Sequence, residues 1–270
     1  MNKKPIGVFD SGLGGLTCVK ELMHLLPHED IVYFGDTGRV PYGGRGREII
    51  TQYTRQDANF LLSQDVKLII AACGTASSVV PDLGSYLPVP YTGVVAPTCV
   101  AAAAATRNGK IGIIGTSATI KSNSYRRELE KLLPGMNLLE QACPLFVPLV
   151  ENGFLNPDDD IPRLVAERYL AGLRESGLDT LILGCTHYPL LSRVITRVMG
   201  ETVTLINSGR ETAVYAARLL KEKGMLNDQK EEGCARFFVS DSTEGFEQIA
   251  ALFLGQDMKG SVSRIEIQQF

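Results

Sequence analysis

The chain has little that marks a specialised role. No Cys-x-x-Cys pair occurs in its 270 residues, and three histidines accompany six cysteines, so a zinc site has no ligand spacing to build on. There is no surplus of positive charge. Lys and Arg number 27 against 30 Asp and Glu, a net charge of −3, and nucleic acid is therefore not an expected partner. Long hydrophobic runs are missing as well: the most apolar stretch, 94–105, is interrupted by Pro97 and Thr98 and falls short of the roughly 18 residues a membrane span needs. The opening residues carry two lysines but pass directly into a short apolar run ending at Asp10, too short for the core of an export signal. A cytoplasmic protein with no membrane contact is the expectation. In a reducing compartment its thiols stay free, each either a small buried hydrophobe or a reactive group.

What is present is ordinary globular material, 44% hydrophobic and 21% charged, in a chain long enough for roughly two domains. Short β-branched runs at 6–9, 31–34, 68–72, 91–95, 111–114, 180–183, 204–206 and 236–239 alternate with helical patterns. The runs are apolar on both faces, as strands of a parallel sheet covered by helices must be. The fold class expected is α/β.

An internal echo says more. Lys-Pro-Ile-Gly-Val-Phe-Asp-Ser-Gly from Lys4 resembles Lys-Ile-Gly-Ile-Ile-Gly-Thr-Ser from Lys110, and Leu-Ile-Ile-Ala-Ala-Cys-Gly-Thr from Leu68 resembles Thr-Leu-Ile-Leu-Gly-Cys-Thr-His from Thr180. The second match aligns Cys73 with Cys185. Two pseudo-symmetric α/β domains with mainly parallel sheets follow as the expected architecture, with the site in the cleft between them. The runs near Thr204 and Arg236 complicate a split at the midpoint, because either can return the chain to the first domain. The boundaries expected are 1–97 with 207–270, and 98–206.

Asp10-Ser-Gly-Leu-Gly-Gly-Leu stands where a strand ends and a helix begins, a place where backbone N–H groups bind anions. Thr17 occupies the position of the last glycine of a dinucleotide fingerprint, and the lysine of a phosphate loop is missing, so a nucleotide is not indicated. Asp10 and Ser11 at the strand's carboxyl end point to a ligand, although Asp10 also reads simply as a helix cap. Cys73 and Cys185 hold the equivalent place in their own units, each with threonine close behind, as Thr75 and Thr186. Helix dipoles and free N–H groups there favour thiolate, so a lowered thiol pKa is expected. Cys18, Cys99, Cys143 and Cys234 lack such surroundings and are expected to be packing residues. His187, two positions after Cys185, is the natural proton partner, whereas His24 and His28 lie on or after a surface helix.

A single Cys–His pair would serve nucleophilic catalysis. Two thiols on opposite sides of a cleft suit removal of a proton from one face of a carbon and delivery of another to the opposite face. That is racemisation or epimerisation. A noncatalytic amino-acid or anion binding module also fits two lobes around a cleft, but has no need of both thiols.

Taken together, FDSGLGG from Phe9, YFGDTGRVPYG from Tyr33, AACGTAS from Ala71, IIGTSAT from Ile113 and LGCTHYP from Leu183 resemble the glutamate racemases over almost the whole chain. The resemblance implies interconversion of L- and D-glutamate without a cofactor or metal, supply of D-glutamate for peptidoglycan, and a homodimer. It assigns Cys73 and Cys185 as alternating acid and base, with Asp10, His187 and Glu151 assisting. Ser11, Tyr42, Gly43, Thr75 and Thr186 match substrate-contacting positions, with Thr116 and Thr119 as further candidates. Tyr42 also reads simply as a residue closing a turn. The similar aspartate racemases generally carry glutamate in place of His187, and related decarboxylases keep one cysteine. Relatives that respond to a cell-wall precursor carry an extension before the first strand, so no such activation is expected here. One departure stands out: the family usually has asparagine after the first cysteine, and here it is Gly74, which keeps a backbone donor and loses the side-chain amide.

Overall fold

A computed structural model describes residues 3–244, 246–255 and 261–270. The first unit opens with β1 (Ile6–Asp10), α1 (Leu16–Leu25), β2 (Ile31–Gly35), α2 (Arg47–Ser63), β3 (Leu68–Ala71), α3 (Gly74–Val79) and β4 (Tyr91–Gly93). After α4 (Val95–Ala105) comes the second, with β5 (Lys110–Gly115), α5 (Ser117–Lys121), α6 (Ser124–Leu132), β6 (Asn137–Ala142), α7 (Phe146–Glu151), α8 (Asp160–Glu175), β7 (Thr180–Leu183), α9 (Ser192–Met199) and β8 (Thr204–Asn207). The chain then runs through α10 (Ser208–Glu222), β9 (Ala235–Val239), α11 (Phe246–Leu254) and β10 (Val262–Arg264).

The strands form two sheets, ordered β10-β9-β2-β1-β3-β4 and β6-β5-β7-β8, with parallel pairing throughout. β1, β2, β3 and β7 are buried at every residue, which explains their unbroken apolar sequences. The order β2-β1-β3-β4 repeats as β6-β5-β7-β8, so the α/β class and the echo of the two halves are features of the fold. Register repeats too, with Ile6 opposite Leu68 in one sheet and Ile111 opposite Thr180 in the other.

One open choice is settled, one strand boundary needs correction, and two further strands appear. The run near Thr204 stays in the second sheet beside β7, and only the run near Arg236 rejoins the first, as β9. The run 91–95 ends as a strand at Gly93, because Val95 already begins α4, where Pro97 sits in the first turn and needs no intrahelical N–H partner. Two strands were not expected at all. β6 contains Glu140 and Gln141 on a sheet edge, and β10 is a three-residue edge strand.

One hydrophobic core passes through both units, with Ile6, Val8 and Leu16 in the same cluster as Leu183, Tyr188 and Phe237. Helices α1 and α10 form its spine. The carboxyl ends of β1, β3, β5 and β7 thereby converge on one cleft, where ligands of open parallel sheets bind.

Candidate active site

From the first unit, β1 delivers Asp10 into the cleft floor, 1% exposed, where its Oδ2 accepts from Gly15 N at 2.8 Å. That bond holds the glycine-rich turn against the strand end and fixes the carboxylate. β3 delivers Cys73, whose Sγ caps α3 by accepting from Ala76 N at 3.4 Å and donates to Ser11 Oγ at 3.5 Å. The thiol is buried. Burial pushes its pKa up, the nearby charge of Asp10 adds to the rise, and hydrogen bonding to Ser11 and Ala76 offsets only part of it. The thiolate expected at this strand end is thus not the resting form of Cys73, because desolvation outweighs the N–H donors.

From the second unit, β7 delivers Cys185, with His187 Nδ1 3.9 Å from its Sγ and His187 Nε2 3.1 Å from Glu151 Oε1 on α7. Burial by itself lowers the His187 pKa. Hydrogen bonding to Cys185 and Glu151, with the charge of Asp10, more than reverses this, so the imidazole holds its proton at neutral pH. The Phe253 ring on α11 stands nearly perpendicular to the imidazole, with ring centroids 5.2 Å apart, and packs against it. Nothing in the sequence around Phe253 signals this contact.

The units meet closely around these groups. Thr17 Oγ1 reaches Gly14 O at 2.9 Å and Thr186 O at 3.1 Å, tying α1 to the turn of Cys185. Gly14 has no room for a side chain: a Cβ would overlap Thr186 Oγ1 and lie 2.7 Å from His187 Cε1. A chain of hydroxyls, Thr75 to Thr116 at 3.0 Å and Thr116 to Thr119 at 3.0 Å, bridges α3 and α5.

These residues surround a cavity of about 360 Å³. Asp10, Ser11, Tyr42, Gly43, Cys73, Gly74, Thr75, Thr116, Glu151, Cys185, Thr186 and His187 all line it, and Thr119 does not, being buried behind Thr116. An apolar wall of Val40, Pro41, Pro144, Val147 and Pro148 went unrecognised in the sequence. The spacing of Val147, Pro148 and Glu151 on one helical face was the signal available for part of it.

Tyr42 is placed differently from a residue that offers its hydroxyl to a ligand. The hydroxyl hydrogen-bonds Asp36 and also lies 2.9 Å from Asp57 Oδ2, while Arg39 Nε reaches Asp36 at 2.6 Å and Arg39 Nη2 reaches Asp57 at 3.1 Å. One phenolic proton cannot serve two carboxylates. Burial and the charge of Asp36 raise the Asp57 pKa despite Arg39, so Asp57 supplies the second proton. This network supports the 36–44 loop from beneath.

Cys18, Cys99 and Cys143 are buried as expected, but Cys234 is exposed, since it precedes β9 rather than lying within it. Among the described residues no group of three His, Cys, Asp or Glu side chains is placed to hold a metal ion, and no helix is long and apolar enough to cross a membrane. The arrangement can present two sulfurs, each with its own polar support, to one small molecule.

The family model for Asp/Glu/Hydantoin racemase matches residues 24–216. A glutamate racemase from Geobacter metallireducens is 46% identical over 266 residues, 98% of this chain and 97% of that protein. Among solved structures, glutamate racemase isoform RacE1 from Bacillus anthracis superposes with a TM-score of 0.93 at 38% identity, covering 98% of this chain and 99% of that one. Glutamate racemase from Francisella tularensis, in complex with D-glutamate, superposes with a TM-score of 0.92 at 36% identity over the whole of both chains. Paired thiols at equivalent strand ends, a cleft shared by two matching sheets and relatives similar from end to end lead to one assignment: the chain belongs to the Asp/Glu/Hydantoin racemase family.

Proposed function

We propose that the protein is a cofactor-independent glutamate racemase in which Cys73 and Cys185 act as acid and base on opposite faces of Cα. The observation that carries the reading is the pair of buried thiols bordering one cavity at the ends of symmetry-related strands, one backed by Ser11 and Asp10 and the other by His187 and Glu151. One sulfur takes the Cα proton as the other delivers its own. Cα–H is a weak acid, and backbone and hydroxyl donors around Thr75, Thr116 and Thr186 support the α-carboxylate as charge develops on it, the more strongly once closure of the domains excludes water. His187 holds and returns the proton on the Cys185 side, Glu151 orients it, and Asp10 sets the charge on the Cys73 side.

Glutamate is favoured over aspartate by His187 and by relatives such as the Geobacter metallireducens protein. The same reading places the enzyme in the cytoplasm as a homodimer, supplying D-glutamate for peptidoglycan, with 1–97 plus 207–270 and 98–206 as the domains that close on substrate. Incubation of L-glutamate with the purified protein in D₂O tests it, following optical rotation and Cα deuterium together. The expected result is loss of rotation with deuterium in the product. Absence of both would favour a binding module, and faster turnover of aspartate would reassign the substrate.

A further inference from the structure

The loop 40–44 forms one rim of the cavity, with Val40, Pro41, Tyr42, Gly43 and Gly44 all lining it. Its tip rests on the second unit. A Cβ at Gly43 would lie 2.8 Å from Thr116 Cβ, so the loop meets the threonine that bonds Thr75 with no room for a side chain between them. What holds the loop there lies beneath it. Asp36, directly after β2, and Asp57 on α2 are fully buried, Tyr42 is 1% exposed, and Arg39 supplies the positive charge between the two carboxyl groups.

Donors and acceptors fix where the protons are. Asp36 accepts from Arg39 Nε at 2.6 Å, from Ser240 Oγ at 2.7 Å and from the Tyr42 hydroxyl, a set of three donors that suits an ionised carboxylate. With the phenolic proton given to Asp36, the 2.9 Å contact between Tyr42 Oη and Asp57 Oδ2 takes its proton from Asp57. Asp57 Oδ1 meanwhile accepts from Arg39 Nη2 at 3.1 Å. Charge agrees with this count. Arg39 balances one buried carboxylate rather than two, Asp10 adds negative charge nearby, and the other groups facing Arg39 are the Gln56 amide oxygen at 2.5 Å and the Tyr53 ring at 4.0 Å. Resting on the glutamate reading above, we infer that Asp57 is a positioning residue, a carboxylic acid kept neutral so that it donates to Tyr42 and holds the 40–44 loop over the substrate. One oxygen accepting and the other position donating is also the layout of an asparagine amide. Asparagine should therefore replace Asp57 and should not replace Asp36. An amide at 36 removes the charge that balances Arg39, and if Asp57 gives up its proton to restore the balance, Tyr42 loses its donor.

The test compares Asp57→Asn, Asp57→Ala and Asp36→Asn with the unaltered protein for kcat and KM on both enantiomers of glutamate. Asp57→Asn should match the unaltered protein in both constants. Asp57→Ala and Asp36→Asn should raise KM about 10-fold, the cost of one buried hydrogen bond. Their kcat should change only a few-fold, since the loop borders the substrate rather than the reacting sulfurs. A general loss of folded enzyme would lower kcat instead and would not separate asparagine at 57 from asparagine at 36. An Asp57→Asn variant as weak as Asp57→Ala, an Asp36→Asn variant as active as the unaltered protein, or a loss confined to kcat overturns the inference. Should Asp57→Ala or Asp36→Asn fail to fold, an infrared difference spectrum at pH 7 between the unaltered protein and Asp57→Asn supplies an arm that needs neither. The carbonyl stretch of a protonated carboxylic acid should be present in the unaltered protein and lost in the variant, and its absence from the difference overturns the inference. If the unaltered protein turns over neither enantiomer, the racemase reading fails, and the infrared arm still decides whether the buried pair holds a proton.

Discussion

At the scale of single residues, the two thiols are equivalent by position and unequal by surroundings. Cys73 faces a hydroxyl and a carboxylate, whereas Cys185 faces a protonated imidazole backed by Glu151. Cys73→Ala and Cys185→Ala should each abolish racemisation in both directions, by at least about 10³-fold in optical assays; near-normal turnover by either would sink the two-base mechanism. His187→Asn should lower kcat/KM by about 10²-fold. The loss must be equal in both directions, because two enantiomers are equal in free energy and kcat/KM for the forward and reverse reactions cannot diverge. Primary isotope effects at Cα can diverge, and in this variant they should, since only the Cys185 side has lost its proton partner. Cys73, Cys185 and His187 were legible in the sequence because strand-end location and close spacing are local properties. Phe253 and the Asp36–Tyr42–Asp57 network were not, since both assemble from segments that only the tertiary fold brings together.

At the scale of elements, the two halves repeat in packing as well as in order. Gly7 in β1 leaves room for Leu61 and Val66, and Gly112 in β5 leaves room for Leu178 and Leu181, so corresponding glycines admit apolar side chains against both strands. The echo was readable where strands are buried on both faces. It failed at β6, the counterpart of β2, because an edge strand needs no continuous apolar run and this one carries Glu140 and Gln141. Beside the first sheet lies a buried ion pair, Lys67 Nζ to Glu29 Oε2 at 2.5 Å, with Glu29 Oε1 accepting from Asn227 N at 2.7 Å. It joins the start of β3, the approach to β2 and the segment after α10. Lys67→Met should cost about 3–5 kcal/mol in urea unfolding by leaving Glu29 charged and unpaired, and adding Glu29→Gln should restore part of that loss.

At the scale of the whole molecule, buried thiols make stability depend on alkaline pH. Burial pushes Cys18 up to about 12 and also raises Cys73, Cys99 and Cys143. A raised folded-state pKa gives a contribution that is complete below the unfolded value, about 8.5 for a thiol, and is lost as pH rises towards the folded value. Urea midpoints should therefore fall between pH 8.5 and 10, each such thiol adding up to about 1.4 kcal/mol per pH unit to the slope. Cys99→Ala should flatten that slope whatever it does to the midpoint at pH 7, and an unchanged slope would argue against a buried protonated thiol at this site.

The hydroxyl chain from Thr75 through Thr116 to Thr119 has a further property. Either oxygen can be the donor in each of its two links, so the whole chain reverses its sense when O–H groups rotate, without displacement of a heavy atom. A binding site for one enantiomer gains from donors of fixed direction. One that must greet mirror-image ligands with equal readiness is better served by a contact with no handedness of its own, which takes its polarity from whichever ligand arrives.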